Sequence, residues 1–149
     1  MKIGITNDHA AVDLKIALKK YLEGKGYEVT DYGADGTEAF DYPLAAIPLC
    51  EALQRKEVEL GIAICGTGVG ISISCNKFKG IRACCCSEAT SAKLTRIHNH
   101  ANVICFGARI VGEELAKDIV DVFLTTPEST EERHVRRIQQ MTDIENSQL

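Results

Sequence analysis

Five short apolar runs, each ended by glycine or small polar residues and followed by a longer stretch of helical period, limit how this chain can fold. The runs are Lys2 to Asn7, Tyr27 to Tyr32, Leu60 to Cys65, Ile81 to Cys85 and Asn102 to Phe106. Each is mostly apolar at consecutive positions, which suits strands covered on both faces in a parallel sheet. Between them, Asp13 to Leu22 carries Leu14, Ala17, Leu18 and Tyr21 at helical spacing. Tyr42 to Arg55, Val69 to Phe78, Glu88 to Ile97 and Gly112 to Leu124 supply similar crossovers. A last helix is marked by Pro127 and by Ser129 with Glu132 three residues on, the spacing of a capping box, and is expected over about 130–145. The alternation predicts an α/β fold on a five-stranded parallel sheet. These elements use nearly all of the 149 residues, so 1–149 reads as one domain.

Subtracting 21 acidic from 17 basic residues leaves a net charge of -4, which offers no broad positive field for nucleic acid. The opening Met-Lys-Ile-Gly-Ile-Thr-Asn-Asp-His turns polar too early for a signal peptide, and no stretch approaches the roughly 18 apolar residues of a membrane span. A cytoplasmic protein with no membrane partner is expected. The seven cysteines include the adjacent Cys84, Cys85 and Cys86, a pattern that suits reduced thiols, mostly small core residues, better than a disulfide framework. No Cys-x-x-Cys spacing occurs, and no metal is expected.

In an open parallel sheet the ligand site lies beyond the carboxyl ends of the strands. Asp8 and His9 follow the first run, Cys65-Gly66-Thr67-Gly68-Val69-Gly70 the third, and Gly107 and Arg109 the fifth. Three glycines at alternate positions free the backbone to aim N–H groups at one point, with a helix N-terminus behind them. Such a field favours the thiolate of a cysteine at its mouth. The plainer alternative is a tight strand-to-helix turn with an inert thiol. The segment lacks Gly-x-Gly-x-x-Gly, although Glu88 stands at the separation of a ribose-binding acid, and no Lys-Ser or Lys-Thr follows Gly70 as a P-loop requires. Beside Asp8, His9 forms a pair able to accept and donate protons near neutral pH; alone it reads as a turn histidine.

His98 and Asn99 precede the fifth run, which places them near the opposite edge of the sheet from Cys65. Arg133, His134 and Arg137 fall on one side of the last helix and could hold a phosphate through charge-assisted hydrogen bonds. A solvated basic face paired with Glu131 and Glu132 is the alternative there.

Asp8-His9, Asp41-Tyr42-Pro43, Ile64-Cys65-Gly66-Thr67-Gly68-Val69-Gly70-Ile71-Ser72, Asn76-Lys77, Gly80-Ile81-Arg82-Ala83, His98-Asn99, Asn102-Val103 and Arg133-His134-x-x-Arg137 occur in order. In this the chain resembles the type B ribose-5-phosphate isomerases, a family that includes the galactose-6-phosphate isomerase subunits. The resemblance spans nearly the full length. It implies a Rossmann-like three-layer sandwich and a cofactor-free, metal-free aldose-ketose isomerase, a homodimer or dimer of dimers with active sites shared between subunits.

By motif, Cys65 is the base moving a proton between C2 and C1, with Thr67 beside it. His98, helped by Asp8, opens the furanose ring, and Gly66, Gly68, Val69 and Gly70 hold the enediolate oxygens. His9, Arg109, Arg133 and Arg137 hold the phosphate, His134 lies close by, and Asn99 and Tyr42 contact the sugar. Some members carry a glutamate base where this chain has Ile71. His98 favours a ribose 5-phosphate enzyme of pentose phosphate metabolism. A hexose 6-phosphate such as allose or galactose 6-phosphate, or a non-catalytic sugar-phosphate- or nucleotide-binding module, is the alternative. The chain departs from the family at Ala10-Ala11-Val12, where one or two glycines and an aromatic are common, and at Glu132, where glycine is common.

Overall fold

The computed structural model describes residues 1–36 and 38–147. Strands β1 (Lys2–Asn7), β2 (Glu28–Asp31), β3 (Leu60–Cys65), β4 (Ala83–Cys85) and β5 (Val103–Gly107) pair in parallel in the order β2-β1-β3-β5-β4. Helices α1 (Val12–Gly24), α2 (Tyr42–Gln54), α3 (Val69–Cys75), α4 (Ala89–Asn99), α5 (Glu113–Thr125) and α6 (Glu132–Glu145) follow the strands in turn, α6 as an addition at the end.

Period-two alternation sorts the three central strands onto two cores. Ile3 and Ile5 of β1, Ile62 and Ile64 of β3, and Ile104 and Phe106 of β5 face Leu18 and Leu22 of α1 and Ile119 and Phe123 of α5. Ala63 and Cys65 of β3 and Val103 and Cys105 of β5 face Ala45 and Leu49 of α2 and Cys75 of α3. Each fully buried Leu, Ile or Phe contributes about 1.5–3 kcal/mol. Gly4 lets α2 close down on β1, since a methyl there would lie 2.4 Å from Leu49 Cδ1.

The outer strands differ from expectation in degree of cover. β2 and β4 lie at the sheet edges and are half-buried, and pairing trims them inside the apolar runs that mark them. α1 is also turned relative to the expected stripe: its buried positions are Val12, Lys15, Leu18 and Leu22, while Leu14 and Tyr21 are only partly covered. Lys15 can occupy the inner face because its ammonium meets acceptors of Asp31, Ala34 and Asp35 there. α3 stops at Cys75, where Asn76 donates to Ser72 O (3.0 Å) and exchanges hydrogen bonds with the Ala83 backbone.

The expected capping box at Ser129 and Glu132 does not form. Glu131 is the N-cap residue of α6 and makes no side-chain cap. Ser129, two residues earlier, takes the Glu131 N–H at 3.1 Å, so its hydroxyl is spent on a turn. No helix among the described residues is long and apolar enough to cross a membrane. All seven cysteines lie within them and are free.

Candidate active site

β1, β3 and β5 are adjacent in the sheet, so the loops leaving them meet at one edge. Backbone hydrogen bonds tie them together: Asp8 N to Ile64 O (3.1 Å), Ala108 N to Cys65 O (2.9 Å) and Arg109 N to Gly66 O (3.0 Å). Asp8 is buried and caps a short 3-10 turn, its carboxylate taking the Ala10 N–H at 2.9 Å. Ala10 and Ala11 keep negative φ, so this turn forms without the glycines usual in the resembled family. His9 is half-buried. Both backbone polar groups of Phe40 face its ring, the N–H 3.1 Å and the carbonyl oxygen 3.2 Å from His9 Nδ1.

The glycine loop is shaped by close approach. Gly68 has φ +81° and passes over the end of β5, where a methyl would lie 2.6 Å from the Phe106 backbone. Gly107 makes the same contact from below, its added methyl meeting Thr67 at 2.5 Å. Thus held, Gly68 donates its N–H to Cys65 Sγ at 3.1 Å. Cys65 is 3% exposed. Thr67 is exposed, its hydroxyl accepting the Val69 N–H at 3.4 Å. Tyr42, the first residue of α2, lays its ring against Gly70, where a methyl would meet Cζ at 2.7 Å. The Arg109 guanidinium lies over Gly66, with Nη1 3.3 Å from a methyl built there.

Cys85 is a neighbour that motif reasoning missed. Its sulfur would lie 3.0 Å from a methyl on Gly68, and it faces Thr67 O at 3.8 Å. The only signal was the alternation of faces along Cys84 to Cys86. Burial pushes the Cys85 thiol up, with the nearby Cys65 adding to the effect, and burial pushes Cys86 up to about 12.

A second group gathers at the opposite edge, where the strands begin. α4 ends at Asn99, and Asn102 O accepts from Gly61 N at the start of β3. Four residue steps along β3 separate Gly61 from Cys65, roughly 13 Å at about 3.3 Å each. His98 and Asn99 are exposed in the last turn of α4, which runs two residues beyond the expected Ile97. Arg82 closes that end, its Nε donating to Asn99 O (3.1 Å) and His100 O (3.0 Å). The His98 and His134 ring centroids are 4.8 Å apart. His134 is buried, with Nδ1 2.9 Å from Ser129 Oγ. Burial, then the charge of Arg133, holds its imidazole below its usual value, so it is neutral near pH 7. Arg133 and Arg137 are exposed, and Glu131 takes Arg133 Nε at 2.8 Å.

The structure therefore brings Asp8, His9, Tyr42, Cys65, Gly66, Thr67, Gly68, Val69, Gly70 and Arg109 to one edge. It brings His98, Asn99, Arg133, His134 and Arg137 to the other. Glu88, the possible ribose-binding acid, is the N-cap of α4 and is occupied by the N–H groups of Thr90 and Ser91, both at 2.6 Å. That removes the sequence feature favouring a dinucleotide. Among the described residues no three His, Cys, Asp or Glu side chains cluster as a metal site.

Residues 3–141 match the family model described as Ribose/Galactose Isomerase. The chain belongs to this family. Ribose-5-phosphate isomerase B of Escherichia coli is 48% identical over 144 residues, which cover 97% of this chain and 96% of that protein. The galactose-6-phosphate isomerase subunit LacB of Clostridium acetobutylicum is 41% identical over 124 residues, 83% of this chain and 72% of that one. The solved structure of ribose-5-phosphate isomerase B from Clostridium thermocellum aligns with TM-score 0.95 and 44% identity over 99% of both chains. These findings bear out the Rossmann-like α/β fold and the family resemblance. Ile71, where the family resemblance implies a glutamate in some members, is fully buried in the first turns of α3.

Proposed function

We propose that the protein interconverts ribose 5-phosphate and ribulose 5-phosphate, with Cys65 as the base. The observation that carries this reading is the Cys65 sulfur receiving the Gly68 amide beneath a loop that the strands on both sides hold in place. Isomerisation removes a weakly acidic proton beside a carbonyl, so it needs a base at that carbon and donors at the oxygen that becomes negative. The Cys65 thiolate takes the C2 proton to leave an enediolate, the thiol returns a proton to C1, and the O2 hydroxyl proton passes to O1, so that C2 becomes the carbonyl. The glycine loop over 66–70 holds the enediolate oxygens through the N–H groups that Cys65 Sγ and the Thr67 hydroxyl do not take, those of Gly66 and Gly70 among them, with Thr67 at the same point.

The two edges of one chain lie too far apart to act on one pentose. We therefore place each site between two copies, a homodimer or a dimer of dimers. One copy supplies Asp8, His9, Tyr42, Cys65 and the glycine loop; the other supplies His98, Asn99 and the α6 cations. His98 is the exposed imidazole of the pair of rings and is assigned the ring-opening proton transfer, assisted by Asp8. His9, Arg109, Arg133 and Arg137 hold the phosphate. His134, neutral and covered, stands behind His98.

The test is incubation of the pure protein with ribose 5-phosphate in heavy water. Ribulose 5-phosphate carrying deuterium at C1 is expected. Cys65→Ala should lose turnover by about a thousandfold or more while still binding inorganic phosphate. An active alanine variant removes Cys65 from the base role, and binding without turnover by the native chain removes the enzymatic reading. Competing ribose, allose and galactose phosphates in one rate assay fixes the sugar.

A further inference from the structure

The longest connection in the fold, from β2 to α2, is tied to β1 and α1 by a buried cation that the chemistry above does not use. Lys15 is fully buried on the inner face of α1. Its ammonium donates to Ala34 O at 3.0 Å and Asp35 Oδ1 at 2.9 Å, and meets Asp31 Oδ2 at 3.0 Å. Burial works to lower its pKa, but the hydrogen bonds to Asp35 and Asp31 more than offset this and hold it above the usual lysine value. It is therefore a permanent charge at any working pH.

Two routes lead from this ammonium to the phosphate-binding side of the site. The first runs through Ala34, whose carbonyl also accepts Asn7 Nδ2 at 3.1 Å, while Ala34 N donates to Asn7 O at 3.1 Å. The same Asn7 amide donates to Asp8 O at 2.8 Å, so Lys15 and Asn7 share the Ala34 carbonyl and Asn7 bridges it to the backbone entering His9. Gly33 seats the loop on Asn7 so closely that a methyl there would lie 1.9 Å from Asn7 Oδ1. The second route is the far end of the connection, where the Phe40 backbone meets His9 Nδ1 through both its N–H and its carbonyl oxygen. A loop pinned at 31–35 and bonded to His9 at 40 restricts where that imidazole can point.

We propose that Lys15 is a positioning residue for phosphate binding, drawing Asp31, Ala34 and Asp35 onto α1 so that Phe40 and Asn7 fix the His9 ring. The inference rests on the reading of His9 as a phosphate ligand. An ammonium suits the task because it offers three donors to acceptors from one short segment and keeps its charge when covered.

The test uses the full-length enzyme with Lys15→Met, Asp35→Asn, His9→Ala and the Lys15→Met/His9→Ala double variant, measuring KM and kcat for ribose 5-phosphate and inhibition by inorganic phosphate. Lys15→Met is expected to raise KM and the phosphate inhibition constant about 5- to 20-fold with kcat within about twofold, the signature of lost uniform binding. Asp35→Asn should shift both in the same direction by less; its side chain is 91% exposed, so it leaves the core alone and decides the matter if Lys15→Met does not fold. In the His9→Ala background Lys15→Met should add little. A lower melting temperature with unchanged KM and unchanged phosphate inhibition in both single variants would overturn the inference and leave Lys15 a scaffold residue. If His9→Ala itself leaves KM and phosphate inhibition unchanged, the assignment of His9 has failed instead.

Discussion

Gly68→Ala tests whether the loop over β5 is needed to aim an amide at Cys65. Two costs arise at this residue. An L side chain at φ +81° is strained by about 1–2 kcal/mol. Its methyl would also lie 2.6 Å from the Phe106 backbone, and relief of such overpacking costs about 1–3 kcal/mol. The sum is about 2–5 kcal/mol, and at about 3 °C per kcal/mol for a chain of this size the melting temperature should fall about 6–15 °C. Backbone cannot yield as a side chain end does, so the loop must lift and carry the Gly68 N–H away from Cys65 Sγ. Loss of one aimed donor typically costs about a hundredfold or more in kcat, and that is the drop expected here. Gly24→Ala is the control, because nothing lies within 4 Å of a methyl there and its φ is not positive. Calorimetry and a ketose-specific rate assay below the melting transition read both effects. Native stability and native kcat in Gly68→Ala would refute the claim that this passage sets the donor.

Arg137→Ala should raise KM about 10- to 100-fold with little change in kcat, because a phosphate anchor holds ground and transition states alike; unchanged KM would make the α6 face merely solvated. Mixing Cys65→Ala with His98→Ala under conditions of subunit exchange should recover up to about a quarter of native activity, since half of the dimers are hybrid and each has one intact site of two. No recovery after verified exchange would place both groups in one chain's site. His134 has a folded-state pKa below its ordinary value, so its contribution to stability is present above about pH 6.5 and is lost as pH falls through the lower folded value. Thermal melts from pH 7.5 to 5 should show that loss, and His134→Gln should flatten it; an identical slope in the variant would show that another group titrates.

Much of the frame was legible because central strands in a parallel sheet carry a redundant signal. β1 and β3 are bounded as the apolar runs that mark them, and β5 is offset by one residue. Edge strands lose that redundancy, since pairing on one side only leaves fewer positions covered, and Tyr27 to Tyr32 shortens to Glu28–Asp31. Short-range capping signals failed for a related reason. Ser129 and Glu132 have the right spacing, but a serine hydroxyl serves whichever N–H comes nearest, and here that is Glu131. Glu88 shows the converse, a long carboxylate read as a candidate ligand that in fact caps α4 with both oxygens. Lys15 was invisible because its justification lies in Asp31, Ala34 and Asp35, and no periodicity argument places a charge on an inner face without them.

The division of the candidate site follows from the same topology that made its halves legible. In a right-handed parallel crossover, residues just after a strand reach one sheet edge and residues just before the next strand reach the other. Cys65 and Arg109 are of the first kind, and His98 and Asn99 of the second. No rearrangement of loops within one chain could unite them without crossing the length of β3. The side chains are split in the same way: the thiol and its amide donor lie at one edge, while the exposed His98 imidazole, proposed to open the ring, and the α6 cations lie at the other. A pentose phosphate is shorter than the sheet is deep. For the proposed reaction to proceed, the missing half must come from outside the chain, and a second copy is the partner that carries every residue required.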